Sequence, residues 1–291
     1  MRSKEAQALE AEIRKRGGRL KSEEQSRAFY LHQLQAEDAP FPEEILKGTG
    51  ARLTEFEGSP LVVCGDEAAE RCVIYVHGGA FALEMNDLHV KFCIRLAERT
   101  GACFYLPVYP LTPKHHYDEA YALIDALYGK VQDRTIAFMG DSSGGGFVLA
   151  YAQQLRGAGK ELPGQIIVLS PWVDLSMSSS DYAPYDPKDP MLGVPGLIMA
   201  GEYWANGLDT KDPKLSAMFG DNRGLPPVTV FAGTAELLYP DVILYAEKLR
   251  RDGVPTELIV GEDMNHMYPL FPIPEAAEPF ETIIKKLGCE K

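Results

Sequence analysis

Apolar and polar positions along this chain of 291 residues follow two alternating periods. Six short apolar runs, rich in β-branched and aromatic residues, stand at 72–76, 102–106, 135–139, 165–169, 228–232 and 256–260. Each has the length and composition of a strand buried on both faces. Between them, apolar residues recur at helical spacing over 87–99, 117–129, 146–155 and 241–251, and a closing helix is predicted over 275–287. This alternation specifies an α/β fold: a mostly parallel sheet with helices on both faces. Upstream, 53–57 alternates like an exposed edge strand and 60–64 like its hairpin partner.

Two segments depart from the rhythm. Residues 1 to 48 are charged and helix-like. There Ser22-Glu-Glu-Gln25 forms a capping box for a helix through Phe29, Tyr30 and Leu34, with Gly17-Gly18 separating it from an earlier helix. Residues 175–215 hold a serine run, five prolines and Tyr182, Tyr185, Tyr203 and Trp204. That is too long for a simple connector and predicts an insertion with short helices of its own. Loops after parallel strands surround ligand sites, so the insertion is expected to be a lid. For residues 1–48, lid and plain cover of apolar surface both stand.

Composition narrows the partners. The chain is 45% hydrophobic, with 29 basic and 42 acidic residues and a net charge of -13. That balance argues against nucleic acid and anionic membrane, which select basic surfaces. The cysteines at 64, 72, 93, 103 and 289 are odd in number and form no CxxC pair, so no disulfide framework and a cytoplasmic setting are expected. The N-terminus shows no apolar signal-peptide core, and no apolar stretch approaches the ~20 residues of a membrane span.

The candidate chemistry centres on Gly140-Asp-Ser-Ser-Gly144, which lies between the strand at 135–139 and a helical run. Gly-x-Ser-x-Gly in that setting is a nucleophile elbow, a tight turn that exposes the Ser142 hydroxyl at a helix N-terminus. Serine needs a base within hydrogen-bond reach. Of six histidines, His266 alone follows the last strand, where the chain order serine–acid–histidine places the base. His32, His89, His115 and His116 carry no comparable signal.

The acid belongs on the loop after the strand at 228–232, where Glu236 and Asp241 compete. Asp241 precedes a helical run and is accounted for by N-capping, which favours Glu236 and keeps Asp241 as the alternative. His77-Gly78-Gly79-Ala80 follows the strand at 72–76, and its glycines let backbone amides face a developing oxyanion. Gly78, Gly79 and the amide of Ser143 are the expected donors, with His77 tying the loop down. Asp141 needs no role beyond satisfying local amides.

Together these residues resemble the hormone-sensitive-lipase-like esterases of the α/β-hydrolase superfamily. The matching motifs are His77-Gly-Gly-Ala-Phe81, Tyr109-Pro-Leu-Thr-Pro-Lys114, Gly140-Asp-Ser-Ser-Gly-Gly145, Ser170-Pro-Trp-Val-Asp174, Gly224-Leu-Pro-Pro227 and His266. The resemblance implies an α/β-hydrolase catalytic domain over 49–291 and a helical cap made of 1–48 and 175–215. It further implies a serine carboxylesterase without metal or cofactor, with Ser142 as nucleophile, His266 as base and Gly78, Gly79 and Ser143 as oxyanion donors. Three positions depart from the family pattern. Ser143 replaces an alanine, Ala80 replaces the third glycine, and the Asp-Pro-Leu acid motif is absent. Glu236 stands 30 residues before His266, a separation like the family's, and Asp241 matches the family's later helix-starting aspartate.

The expected reaction is hydrolysis of short- to medium-chain acyl esters through an acyl-enzyme. Phe81, Trp172, Tyr182, Tyr203 and Trp204 are candidates for an apolar pocket and equally for ordinary core. An arylformamidase-like amide hydrolase is the nearest alternative. A non-catalytic receptor on the same fold is the more distant one. A small-molecule ester is the expected partner, and a homodimer is compatible with the fold.

Overall fold

The run around Ile74 forms the strand on which the order of the sheet turns. In the computed structural model, which describes residues 2–17, 20–37 and 40–288, eight strands form one sheet. They are β1 (Arg52–Phe56), β2 (Ser59–Cys64), β3 (Arg71–Val76), β4 (Cys103–Pro107), β5 (Thr135–Asp141), β6 (Gln165–Leu169), β7 (Val228–Gly233) and β8 (Thr256–Gly261). Their spatial order is β1-β2-β4-β3-β5-β6-β7-β8, antiparallel at the β1–β2 and β2–β4 pairs and parallel elsewhere. The chain leaves β3 to one side for β4 and returns to the other side for β5. The crevice beyond the ends of β3 and β5 is therefore a topological switch point, where α/β sheets bind ligands.

Alternation along the inner strands fills two core layers. Cys72, Ile74 and Val76 face one side of the sheet, Val73 and Tyr75 the other. The expected burial on both faces fails at β8, where Glu257 and Val260 are exposed, because β8 is the outermost strand. Cys64, Cys72, Cys93 and Cys103 are buried free thiols; Cys289 and Gly18 lie outside the described residues.

The helices are α1 (Lys4–Arg16), α2 (Glu23–Gln35), α3 (Asp87–Thr100), α4 (Tyr117–Val131), α5 (Ser142–Gly157), α6 (Val194–Ala205), α7 (Tyr239–Arg251) and α8 (Ala277–Lys286). Among the described residues none is long and apolar enough to cross a membrane. Ser22 caps α2 and accepts the Gln25 amide, while the Gln25 side chain accepts the Lys21 amide. The closing helix begins as a 3-10 turn at Pro274–Ala276.

α5 begins four residues before the apolar pattern does. Glycine is a poor helix former, so Gly144-Gly-Gly146 hides the first turn from a reading of the sequence. The same glycines are required by packing. A Cβ on Gly144 would collide with the Val76 carbonyl, and one on Gly146 with that of Trp172.

The insertion between β6 and β7 carries α6, and α2 lies against it. The Gly196 amide donates to the Leu20 carbonyl at 3.1 Å, and the rings of Tyr30 and Tyr203 stand 5.2 Å apart. A Cβ on Gly193 would come within 2.5 Å of the Leu20 carbonyl, so glycine permits this close approach.

Candidate active site

Ser142 stands between β5 and α5 with φ +50°, a conformation L-residues rarely adopt. Close packing of Gly140 and Gly144 around the ends of β3 and β5 holds the turn. The serine is 5% exposed and His266 1%. His266 comes from the loop after β8, and its Nε2 lies 2.9 Å from Ser142 Oγ. Its Nδ1 lies 2.7 Å from Glu236 Oε2. A carboxylate only accepts, so Nδ1 carries the proton and Nε2 is left to accept from the serine hydroxyl.

The two loops that bring these groups together are tied to each other. Glu236 Oε1 accepts the Gly233 amide at 3.1 Å, and the Ala235 amide donates to the Met264 carbonyl at 3.0 Å. Ser170, itself at φ +48°, accepts the Met267 amide at 3.0 Å, and Met267 has φ +57°. Burial opposes protonation of His266, yet the hydrogen bond and charge of Glu236 outweigh it and raise the imidazole above its ordinary pKa.

Asp241 does not reach His266. α7 begins at Tyr239 with Pro240 in its first turn, so Asp241 is the third helical residue and not the N-cap expected from the sequence. Its carboxylate accepts the hydroxyl of Tyr182 from the insertion.

The loop after β3 corrects a second expectation. The Gly78 amide donates to Asp141 Oδ1 at 3.0 Å, and the Tyr75 hydroxyl donates to the same oxygen at 2.7 Å. Gly78 is therefore not free to meet an oxyanion, and Asp141 serves a loop distant in sequence instead of its own turn. The next amides, on Gly79 and Ala80, donate to no acceptor among the described residues. Gly79, Ala80 and Phe81 all have positive φ, at +123°, +53° and +59°. Such a run persists only when its surroundings over-determine it. The Thr112 amide donates to the Phe81 carbonyl at 2.8 Å, the Phe81 amide to Ser143 Oγ at 3.3 Å, and the Leu83 amide to the Gly79 carbonyl at 2.9 Å. The added hydroxyl of Ser143 thus fastens the glycine loop to the elbow.

His77 holds the loop from beneath. Burial, with His89 nearby, pushes its pKa down to about 3, so the ring is neutral and Nδ1 donates to the Gly78 carbonyl at 2.7 Å. The Tyr109 hydroxyl donates to the His77 carbonyl at 2.8 Å, and the two rings stack 4.4 Å apart. His89 carries no catalytic signal in the sequence, but Asn86 three residues earlier is a capping signal. The Asn86 amide donates to His89 Nδ1, which leaves the protonated Nε2 facing Asp141 Oδ2 at 3.5 Å.

A cavity of about 110 Å³ adjoins Gly79 and Ala80, walled by Leu20 and Phe29 from the N-terminal segment and by Leu192 and Leu197 from the insertion. None of the five aromatic candidates lines it. Phe81 stacks on Trp204 at 4.1 Å and packs beside Trp172 as core, Tyr203 meets Tyr30, and Tyr182 meets Asp241. Among the described residues no three His, Cys, Asp or Glu side chains converge to hold a metal ion.

Comparison with known proteins agrees with this geometry at the level of fold and family. The sequence pattern described as alpha/beta hydrolase fold matches residues 73–270. An esterase from Acinetobacter venetianus is 30% identical over 228 residues, covering 74% of each chain. An acetyl-hydrolase from Streptomyces hygroscopicus is 27% identical over 203 residues, covering 68% of each. The crystal structure of EstE5 soaked with p-nitrophenyl butyrate superposes with a TM-score of 0.83, at 25% identity and 98% coverage of both chains.

Proposed function

Because the chain belongs to the α/β-hydrolase fold family and is a carboxylic ester hydrolase, we propose that it cleaves short- to medium-chain acyl esters through an acyl-enzyme on Ser142. The observation that carries this reading is the unbroken line Ser142–His266–Glu236, with contacts of 2.9 and 2.7 Å. His266 takes the proton of the attacking hydroxyl and returns it to the leaving alcohol, then activates the water that releases the acid. Glu236 holds the imidazole tautomer and stabilises the imidazolium.

The developing oxyanion is met by the amides of Gly79, Ala80 and Ser143, with Gly78 as the brace behind them. The strained backbone at Ala80 supports this assignment, since strain of this kind collects where a binding geometry is preset. Residues 1–48 and 175–215 act as a cap on the catalytic domain, in line with the side chains both contribute to the cavity beside Gly79. That cavity takes the acyl chain, and its small apolar volume favours short ones. The acetyl-hydrolase relative and the butyrate ester soaked into EstE5 point the same way.

A fluorophosphonate probe tests the reading. Ser142 should be labelled, and Ser142→Ala should lose both labelling and about 10⁴-fold or more of p-nitrophenyl acetate turnover. A Ser142→Ala protein that still turns over the ester, or a labelled residue elsewhere, contradicts it. N-formyl aromatic amides assayed in parallel should be poorer substrates than the esters.

A further inference from the structure

Asp189 lies between β6 and α6 with its side chain fully buried, at 0% exposure. Among the described residues no lysine, arginine or histidine pairs with it. A bare carboxylate in such a place costs several kcal/mol unless its lone pairs are filled. Here backbone amides fill them. Oδ1 accepts from Met191 at 2.6 Å and Leu192 at 2.9 Å, and Oδ2 accepts from Leu237 at 2.7 Å.

The two sides of this carboxylate serve different parts of the site. The Met191 and Leu192 amides close the turn that leads into α6 and forms the wall of the acyl cavity. The Leu237 amide belongs to the residue after Glu236. Before Glu236, the amides of Thr234 and Ala235 are held by the carbonyls of Gly261 and Met264, on the strand and loop that carry His266. After it, the hold on Leu237 comes from the insertion alone.

We propose that Asp189 is a positioning residue that joins the acyl-pocket wall to the acid of the triad, setting Glu236 through the Leu237 amide and the wall through those of Met191 and Leu192. The inference rests on the Ser142–His266–Glu236 reading. It has an electrostatic corollary that packing alone does not share. The carboxylates acting on His266 are Glu236, Asp189 and Asp141, and each favours the imidazolium. Removing the charge of Asp189 lowers the pKa of His266.

Asp189→Asn is the test. Its carbonyl can serve Met191 and Leu192, but its amide then faces the Leu237 N–H, donor against donor. Turnover of p-nitrophenyl acetate should fall about 10- to 100-fold, mostly in kcat, as expected of a small misplacement of the acid. The acid limb of the kcat/KM profile should move to lower pH. An unmoved acid limb overturns the proposal whatever the rate, since the lost charge and a displaced Glu236 would each lower the pKa of His266.

Glu236→Gln, measured alongside, separates the two levels. If it keeps full activity, the triad reading fails. If it collapses while Asp189→Asn is silent, only this inference fails. Should Asp189→Asn not fold, amide hydrogen exchange of the unaltered protein decides. The Leu237 amide, outside any helix or strand, should be protected like those of β7, and rapid exchange there overturns the proposal.

Discussion

Tyr182, in the insertion, donates its hydroxyl to the carboxylate of Asp241 in the first turn of α7. The contact engages the second acid of the loop with the insertion and leaves the imidazole of His266 to Glu236. Burial raises Asp241 to about 6, the Tyr182 hydrogen bond opposing and the charges of Asp174 and Asp181 adding to the rise.

The two acids should therefore respond differently to substitution. Glu236→Gln is expected to lower kcat by about 10³- to 10⁴-fold with its fold intact, because the imidazolium loses its counter-charge and preset tautomer. Asp241→Asn keeps a carbonyl for the Tyr182 hydroxyl and should leave kcat within about threefold, under about 0.7 kcal/mol in the barrier. Stability adds a second readout. A carboxyl whose pKa is higher in the folded than in the unfolded state binds its proton more tightly when folded, so folding loses stability as pH rises between the two values. For Asp241 that window runs from about 4 to above 6 and approaches about 3 kcal/mol. Urea unfolding from pH 4 to 7 should show the Asn variant gaining on the unaltered protein as pH rises. A constant gap, or loss of turnover in Asp241→Asn, contradicts the assignment.

Activity should fail on the acid side at a pH above the ordinary histidine value. As the proposed base, His266 could accept a proton only when neutral, and Glu236 raises its pKa against the opposing effect of burial. As pH falls through that raised value the imidazole becomes charged and the serine loses its proton acceptor. The acid limb of kcat/KM for p-nitrophenyl acetate is expected to have its midpoint above about 6.5. A midpoint below that would mean that burial outweighs the Glu236 partnership.

Gly78→Ala should cost far more activity than its size suggests. The added Cβ would collide with the Asp141 carboxylate and stand 2.9 Å from Ser142 Cβ. The hydrogen bond from the Gly78 amide to Asp141, which braces the Gly79–Ala80 turn, would break, and displacing the proposed oxyanion donors should cost about 10²- to 10³-fold in kcat. Overpacking also destabilises, by about 1–3 kcal/mol. Rates measured well below the variant's Tm separate the two effects, and a kcat close to the unaltered value would refute the bracing role.

Chain-length preference should follow the cavity beside Gly79. Its volume of about 110 Å³ is small beside the roughly 300 Å³ or more of most ligand pockets. A series of p-nitrophenyl esters should peak between acetyl and butyryl and decline beyond. Leu197, 5% exposed, forms one wall. Leu197→Ala should shift the peak toward hexanoyl or octanoyl at a stability cost of about 2–5 kcal/mol. An unchanged peak would place the acyl chain elsewhere.

The parts legible in the sequence were those carried by local patterns. The strands at 72–76 and 135–139 announce themselves because burial on both faces demands unbroken apolar runs. Ser22-Glu-Glu-Gln25 marks its helix because capping is satisfied within four residues. The same locality misled at Asp241. A carboxylate before an apolar helical run reads as a cap, yet Pro240 lets the helix start at Tyr239, three residues before Val242. Nothing near Asp189 or His89 discloses that each meets a partner distant in sequence.

By itself, the order of residues determined the alternating α/β architecture, the turn bearing Ser142, and the presence of a histidine after the last strand and an acid after the one before it. These follow from backbone preferences and burial periodicity, which act between near neighbours. Only the tertiary structure decided that Glu236 and not Asp241 meets His266, that the Gly78 amide belongs to Asp141, and that Asp189 reaches the loop of Glu236. The physical reason is that a buried amide or carboxylate must find a partner wherever packing brings one, and here those partners lie 30, 63 and 48 residues away along the chain.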